Sequence, residues 1–121
     1  MENHLTTEED FERFKSKCIQ YYDMFGLNEY RLDFRHDYMK DAYASINVDN
    51  EYAVAVITLN KKNRKDDTRQ TLEDTASHEM IHLLLARYSH LAKGRSSDEE
   101  LDAEEERVCH RIESILKRGG L

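Results

Sequence analysis

The 121-residue sequence predicts an α+β domain: an N-terminal helix, a three-stranded, mostly antiparallel sheet, and two further helices, one bearing a histidine pair and the last a run of glutamates. Three observations lead there. Apolar residues recur at helical spacing from Phe11 to Phe25, alternate with a period of two from Tyr30 to Leu59, and return to helical spacing after Thr71. No proline interrupts any of these stretches. The length supports one core and not two, so a single domain is expected over residues 1–121. Because 36% of the residues are charged, against a usual level of about 25%, that core has to come from a few strongly patterned elements.

Thr6-Thr7-Glu8-Glu9 reads as a capping box with Thr6 as the N-cap and Glu9 three residues on. Phe11, Phe14, Cys18, Tyr21 or Tyr22, and Phe25 then form one helical stripe, and Gly26 supplies the stop. Tyr30, Leu32 and Phe34 alternate with Arg31, Asp33 and Arg35, as in a half-buried strand, and His36 to Asp41 reads as a turn. A second strand follows through Ala42, Ala44, Ile46 and Val48. Asp49-Asn50-Glu51 is a hairpin signal, and Tyr52 to Leu59 is a strand with both faces largely apolar. Asp67-Thr68-Arg69-Gln70 caps the next helix, which can run to Lys93 with Gly94 past its end. Ser96 or Ser97 caps the last helix, whose stripe is Leu101, Val108, Ile112, Ile115 and Leu116 until Gly119-Gly120.

The chemistry is concentrated in His78-Glu79-Met80-Ile81-His82. On a helix, residues four apart project from one face a turn apart, so the two imidazoles can share a metal while Glu79 stays beside it. A shuffle of this composition produces HExxH in roughly 3% of chains, so the setting has to carry the rest. Leu72, Ala76, Met80, Ile81, Leu83, Leu84, Leu85 and Tyr88 cover nearly every other direction of the helix. A helix that apolar is buried, and two histidines and a glutamate on its one polar sector then need a metal, a hydrogen-bond network or an open cleft.

A catalytic zinc site takes three protein ligands, and Leu85 stands where the extended motif would have glycine, so the third ligand must come from farther on. The last helix offers Glu104, Glu105 and Glu106. Measured from Leu101, Glu105 lies at about +40°, Glu104 at about −60°, and Glu106 well away, which makes Glu105 the best placed. His110 faces opposite the stripe and reads as a surface residue. Asp74, one turn before His78, is a candidate to orient that imidazole.

The run from His78 to Leu85, together with Ala103 to Val108 and Ile112-Glu113, resembles small gluzincin-type zinc metallopeptidases of phages and prophages, and more distantly the ImmA/IrrE peptidases. The resemblance covers most of the chain and implies a minimal zincin-like domain. It also implies a hydrolase in which zinc is held by His78, His82 and Glu105, with Glu79 as general base. Zinc would bring a water's pKa to about 7 and polarise the scissile carbonyl. Val108-Cys109-His110 stand where the ImmA/IrrE pattern is alanine-rich and ends in proline, and no helix-turn-helix segment is read within these 121 residues. Tyr88, His90 and Tyr43 are candidates for oxyanion stabilisation. An extended peptide or protein substrate would pair with a sheet edge, for which Tyr52 to Leu59 is the expected strand.

A net charge of −7 argues against nucleic acid as a partner, since neutralising phosphates needs a basic face. Lys61-Lys62-Asn63-Arg64-Lys65 is followed directly by two aspartates and reads as a solvated loop. No run has the length of a membrane span, and Met1 to Asp10 is polar and acidic, so a cytoplasmic location is expected, the host cytoplasm for a phage-encoded chain. Cys18 and Cys109 read as reduced thiols and not as zinc ligands. Two other readings compete: a non-catalytic interaction protein stabilised by zinc, and a metal-free scaffold.

Overall fold

The computed structural model describes residues 5–62, 71–92 and 97–119. Its elements run α1 (Glu8–Met24), β1 (Arg31–Asp37), β2 (Ala44–Asp49), β3 (Val54–Asn60), α2 (Leu72–Ala92) and α3 (Asp98–Arg118), the α+β order that the sequence predicts. Among the described residues no helix is long and apolar enough to cross a membrane.

The cap of α1 falls one residue later than expected. Thr7 accepts from the Asp10 amide and Asp10 accepts from the Thr7 amide, a capping box shifted by one. Thr6 is engaged elsewhere. Its backbone joins the end of the sheet through Thr6 N–H to the Lys61 carbonyl, and its buried hydroxyl donates to the Asn60 carbonyl at 2.7 Å. With its one hydrogen so used, that hydroxyl can only accept from His36 Nε2, also at 2.7 Å. Phe11, Phe14, Cys18 and Tyr21 then face the core, and Gly26, at φ +67°, ends the helix where an L side chain would be strained.

β2 and β3 form the expected antiparallel hairpin, with Ala44 opposite Leu59 and Asp49 opposite Val54. The Asp49 carboxylate accepts from the amides of Glu51 and Tyr52 in the turn. β1, which extends two residues into the predicted turn, pairs with β3 in parallel from Arg31–Val54 to Asp37–Asn60. The sheet is therefore mixed, in the order β1-β3-β2. β3 is the central strand and not the edge expected for Tyr52 to Leu59. Its double-sided apolarity is the reason: Ala55, Ile57 and Leu59 are buried and the intervening residues half-buried, as suits a strand flanked on both sides. Among the described residues, the edge strand that packs against α2 is β2.

α2 packs against α1, α3 and β2, which explains its buried first half: Ala76, Met80, Ile81 and Leu83 are wholly inaccessible. Burying such side chains contributes about 1.5–3 kcal/mol each. Its C-terminal half is less enclosed than its composition suggests, since Tyr88 and Leu91 stand in solvent. Thr71 and Asp74 exchange bonds at its start, whereas the predicted cap at 67–70, the stop at Gly94 and most of the basic run lie outside the described residues. Ser97 caps α3 with Glu100.

The connection from β1 to β2 is pinned by Asn60. This buried amide accepts from the Met39 and Lys62 backbone N–H groups and donates to the Met39 and Ala42 carbonyls, at 2.7–3.1 Å. Asn60→Ala strands four backbone groups and should destabilise the fold by about 2–3 kcal/mol. Asn60→Asp, which keeps the acceptor and loses both donors, should also destabilise it. Urea unfolding of the two variants measures this; wild-type stability in both would show that the connection is held by other contacts.

Candidate metal centre

The one polar sector of α2 faces α3 and the edge strand β2. There His78 and His82, one turn apart, lie with ring centroids 4.7 Å apart and planes nearly perpendicular, bringing their Nε2 atoms to 3.2 Å of one another. α3 supplies a carboxylate to the far side of each ring. Glu105 Oε1 is 2.8 Å from His82 Nδ1, and Glu113 Oε1 is 3.2 Å from His78 Nδ1. Ionised carboxylates only accept, so both Nδ1 atoms carry hydrogen. Where both rings are neutral their Nε2 atoms present lone pairs to each other, and protonating one ring turns its Nε2 into a donor.

A third acceptor joins them. Glu106 places Oε2 at 3.0 Å from His82 Nε2 and Oε1 at 3.5 Å from His78 Nε2, and the candidate ligand atoms of His78, His82 and Glu106 all lie within 4.8 Å of one another. With both rings neutral these three acceptors repel one another, and either a proton on one ring, which the raised His78 pKa favours, or a metal cation between them relieves the repulsion. Two imidazole nitrogens and a carboxylate are the donor set that zinc takes, so these residues fit such an ion. The His78 imidazole is held above its ordinary pKa, chiefly by its bond to Glu113 against the opposing effect of burial, with the charges of Glu79, Glu113 and Glu106 adding.

Glu79 lies beside this group, only 8% exposed. Burial pushes its carboxyl above the usual range, opposed by His78 and His82 and reinforced by Glu106 and Glu113. The residue borders both of two hollows, each of about 480 Å³, which meet at Ala44, His78 and Glu79 and form one cleft between β2 and α3. One half is lined by Asp74, His110, Glu113 and Lys117, and the other by Ile46, Val48, Leu101 and Glu105.

The structure thus brings His78, His82 and Glu79 together and distributes the glutamates differently from the helical-phase reading. Glu104 pairs with Arg107 in solvent, Glu105 backs the His82 ring, and Glu106, expected to point away, faces the Nε2 atoms. The cause is the buried face of α3. Cys109 and Leu101 are its two buried residues, while Ile115 is 55% exposed, so the face is centred on Glu105 and not on the Val108–Ile112–Ile115 side. From Leu101, Cys109 lies at about 80°, and Glu106, Glu113 and Lys117 form an adjoining stripe at about 120–160° that looks into the cleft. Reading Cys109 as a core residue would have found that stripe.

Asp74 does not reach His78; it pairs with Lys117 at 3.5 Å, and Glu113 takes the orienting place. His110 is exposed as expected, yet its Nδ1 lies 3.3 Å from Glu113 and its ring borders the cleft. Of the three oxyanion candidates, Tyr43 and His90 line the two halves of the cleft, whereas Tyr88 is 65% exposed and lines neither.

No family model and no curated protein matches the chain. Among solved structures, the metallopeptidase zymogen jannalysin of Methanocaldococcus jannaschii superposes with a TM-score of 0.44 at 18% identity, over 82% of this chain and 96% of that one.

Cys109 Sγ sits 3.7 Å from His82 Nδ1, on the side of the ring away from Glu106, and so outside the group of acceptors. Burial, and then the charges of Glu106, Glu105, Glu113 and Glu79, push its thiol up to about 12; burial raises Cys18 further still. With the thiolate suppressed and both sulfurs enclosed, neither cysteine should react with Ellman's reagent in the native protein near neutral pH, and two thiols per chain should appear in guanidinium. Rapid native labelling of Cys109 would mean that α3 does not stay closed over His82.

Proposed function

We propose that this chain is a zinc-dependent metallopeptidase that hydrolyses a peptide bond, with His78, His82 and Glu106 holding the metal and Glu79 acting as general base. The observation that carries the reading is the convergence of three acceptor atoms, two of them on rings whose opposite nitrogens are tied to carboxylates, beside a buried glutamate on an open cleft. This assigns the third ligand to Glu106 in place of Glu105.

When bound, zinc would polarise the scissile carbonyl and make water a competent nucleophile near neutral pH. Glu79 takes the proton from the attacking water and returns it to the leaving amine. Its burial suits the task, since a carboxyl raised above its usual range is a stronger base when ionised and a usable acid when protonated. Glu105 and Glu113 hold the imidazoles in place from behind.

The substrate is taken to be an extended segment of peptide or protein. β2 is bonded to β3 along one side, and its residues from Ala44 to Val48 border the cleft on the other. A strand laid along that edge gains backbone hydrogen bonds and passes over His78 and Glu79. The position of Glu79 also favours hydrolysis over a purely zinc-stabilised interaction protein. Metal binding does not need this carboxylate, and burying it is costly.

The purified protein should contain about one zinc per chain by elemental analysis. Glu106→Ala should weaken zinc binding beyond the roughly 10–100-fold typical of supporting residues, while Glu104→Ala leaves it unchanged. Glu79→Gln should keep the metal and lower peptide hydrolysis by about 100-fold or more. A wild-type protein that takes up no zinc on reconstitution would end the proposal; a Glu79→Gln variant with full activity would end the role given to Glu79.

A further inference from the structure

The two imidazoles are supported unequally. Glu113, behind His78, divides its Oε1 between His78 at 3.2 Å and His110 at 3.3 Å, and His110 is 71% exposed. Glu105, behind His82, is held at both ends. Its Oε1 accepts from His82 Nδ1 at 2.8 Å and its Oε2 accepts from the Ser89 hydroxyl at 2.6 Å, both within the range of charge-assisted hydrogen bonds. The side chains of His82 and Glu105 are 18% and 17% exposed, so little water competes for these bonds.

Ser89 lies seven residues beyond His82 on α2, two turns along the same face. One carboxylate of α3 therefore spans two turns of α2 and ties a hydroxyl at one end to an imidazole at the other. We infer that Ser89 and Glu105 form a positioning relay that holds His82 as the Nδ1–H tautomer, with its Nε2 lone pair delivered to the group completed by His78 and Glu106.

The chemistry supports a role beyond gluing the helices together. A carboxylate with one oxygen free would swing about its terminal torsion, and the ring it faces could then turn toward Cys109, 3.7 Å from the same nitrogen. The Ser89 hydroxyl, a donor that occupies the second oxygen, removes that freedom. The relay makes His82 the fixed ligand of the pair and leaves His78, whose supporting carboxylate is shared with an exposed ring, the more adjustable one. The ligand role rests on the metallopeptidase reading above; the tautomer does not.

Two measurements test the relay. The first is the pair of imidazole 15N shifts of His82 in the metal-free protein in alkaline buffer. Wild type should show a pyrrole-like Nδ1 and a pyridine-like Nε2, and Glu105→Ala should show a mixture of tautomers. The second is zinc affinity by competition with a chelating dye. Ser89→Ala should weaken it about 10-fold and Ser89→Thr, which restores the hydroxyl, should recover it; the double variant Ser89→Ala, Glu105→Ala should bind no more weakly than Glu105→Ala alone. Additive losses, or an Nε2–H tautomer in wild type, would overturn the relay. A wild type that binds no zinc yet keeps a Glu105-dependent Nδ1–H tautomer would sink the peptidase reading and support the relay.

Discussion

Two imidazole nitrogens 3.2 Å apart, each on a ring whose other nitrogen already donates to a carboxylate, attract one another only when a proton or a metal ion lies between them. The surrounding fold has to impose that approach and something positive has to relieve it. α2 imposes it by spacing, since residues four apart on a helix bring their side chains together without choice. α3 sharpens it by adding Glu106 on the same side as the lone pairs. The arrangement is self-repulsive while both rings are neutral and is relieved by a positive charge, either a proton on one imidazole or a metal ion shared by both.

The rest of the chain encloses the N-terminal half of α2 around this sector and leaves the sector itself bordering a cleft. α1 and α3 cover other sides of the helix, and β2 borders the remaining opening. Because β3 takes the centre of the sheet, β2 is an edge strand among the described residues, and its residues border the cleft. The Asn60 amide holds the residues before β2 against the end of β3, and Thr6 ties the N-terminal segment to the same carbonyl end. The position of the edge strand relative to the histidines is thus set by polar anchors at the margin of the sheet, while the apolar core sets the position of α2.

Features that depend on one element were legible in the sequence. The stripe of α1, its stop at Gly26, the β2–β3 hairpin and the helical pairing of His78 with His82 all follow from local spacing. Features decided by a second element were not. Thr6 has the chemistry of a cap and loses the position because a tertiary bond to Asn60 claims its hydroxyl. The parallel pairing of β1 with β3 leaves no local signature, since alternation reads the same for either direction. The phase of α3 turned on Cys109, a residue that counts as apolar only once it is buried. Weighing Ile115 above it rotated the predicted face and exchanged the places of Glu105 and Glu106.

Glu79 remains the residue that stability alone does not explain. It occupies a site with 8% exposure among groups whose net effect is to raise its pKa, so the fold pays to keep a carboxyl there. An alanine would fill the same helical position with better propensity and no desolvation. The three acceptors of the metal group do not require it, because it is not one of them. A buried carboxyl with a raised pKa at the junction of two halves of a cleft, next to a candidate cation site and outside its candidate ligand set, has a use where a proton must be taken up and passed on. That conjunction, more than the motif spelling, is what favours the proposed hydrolysis over a purely structural metal site.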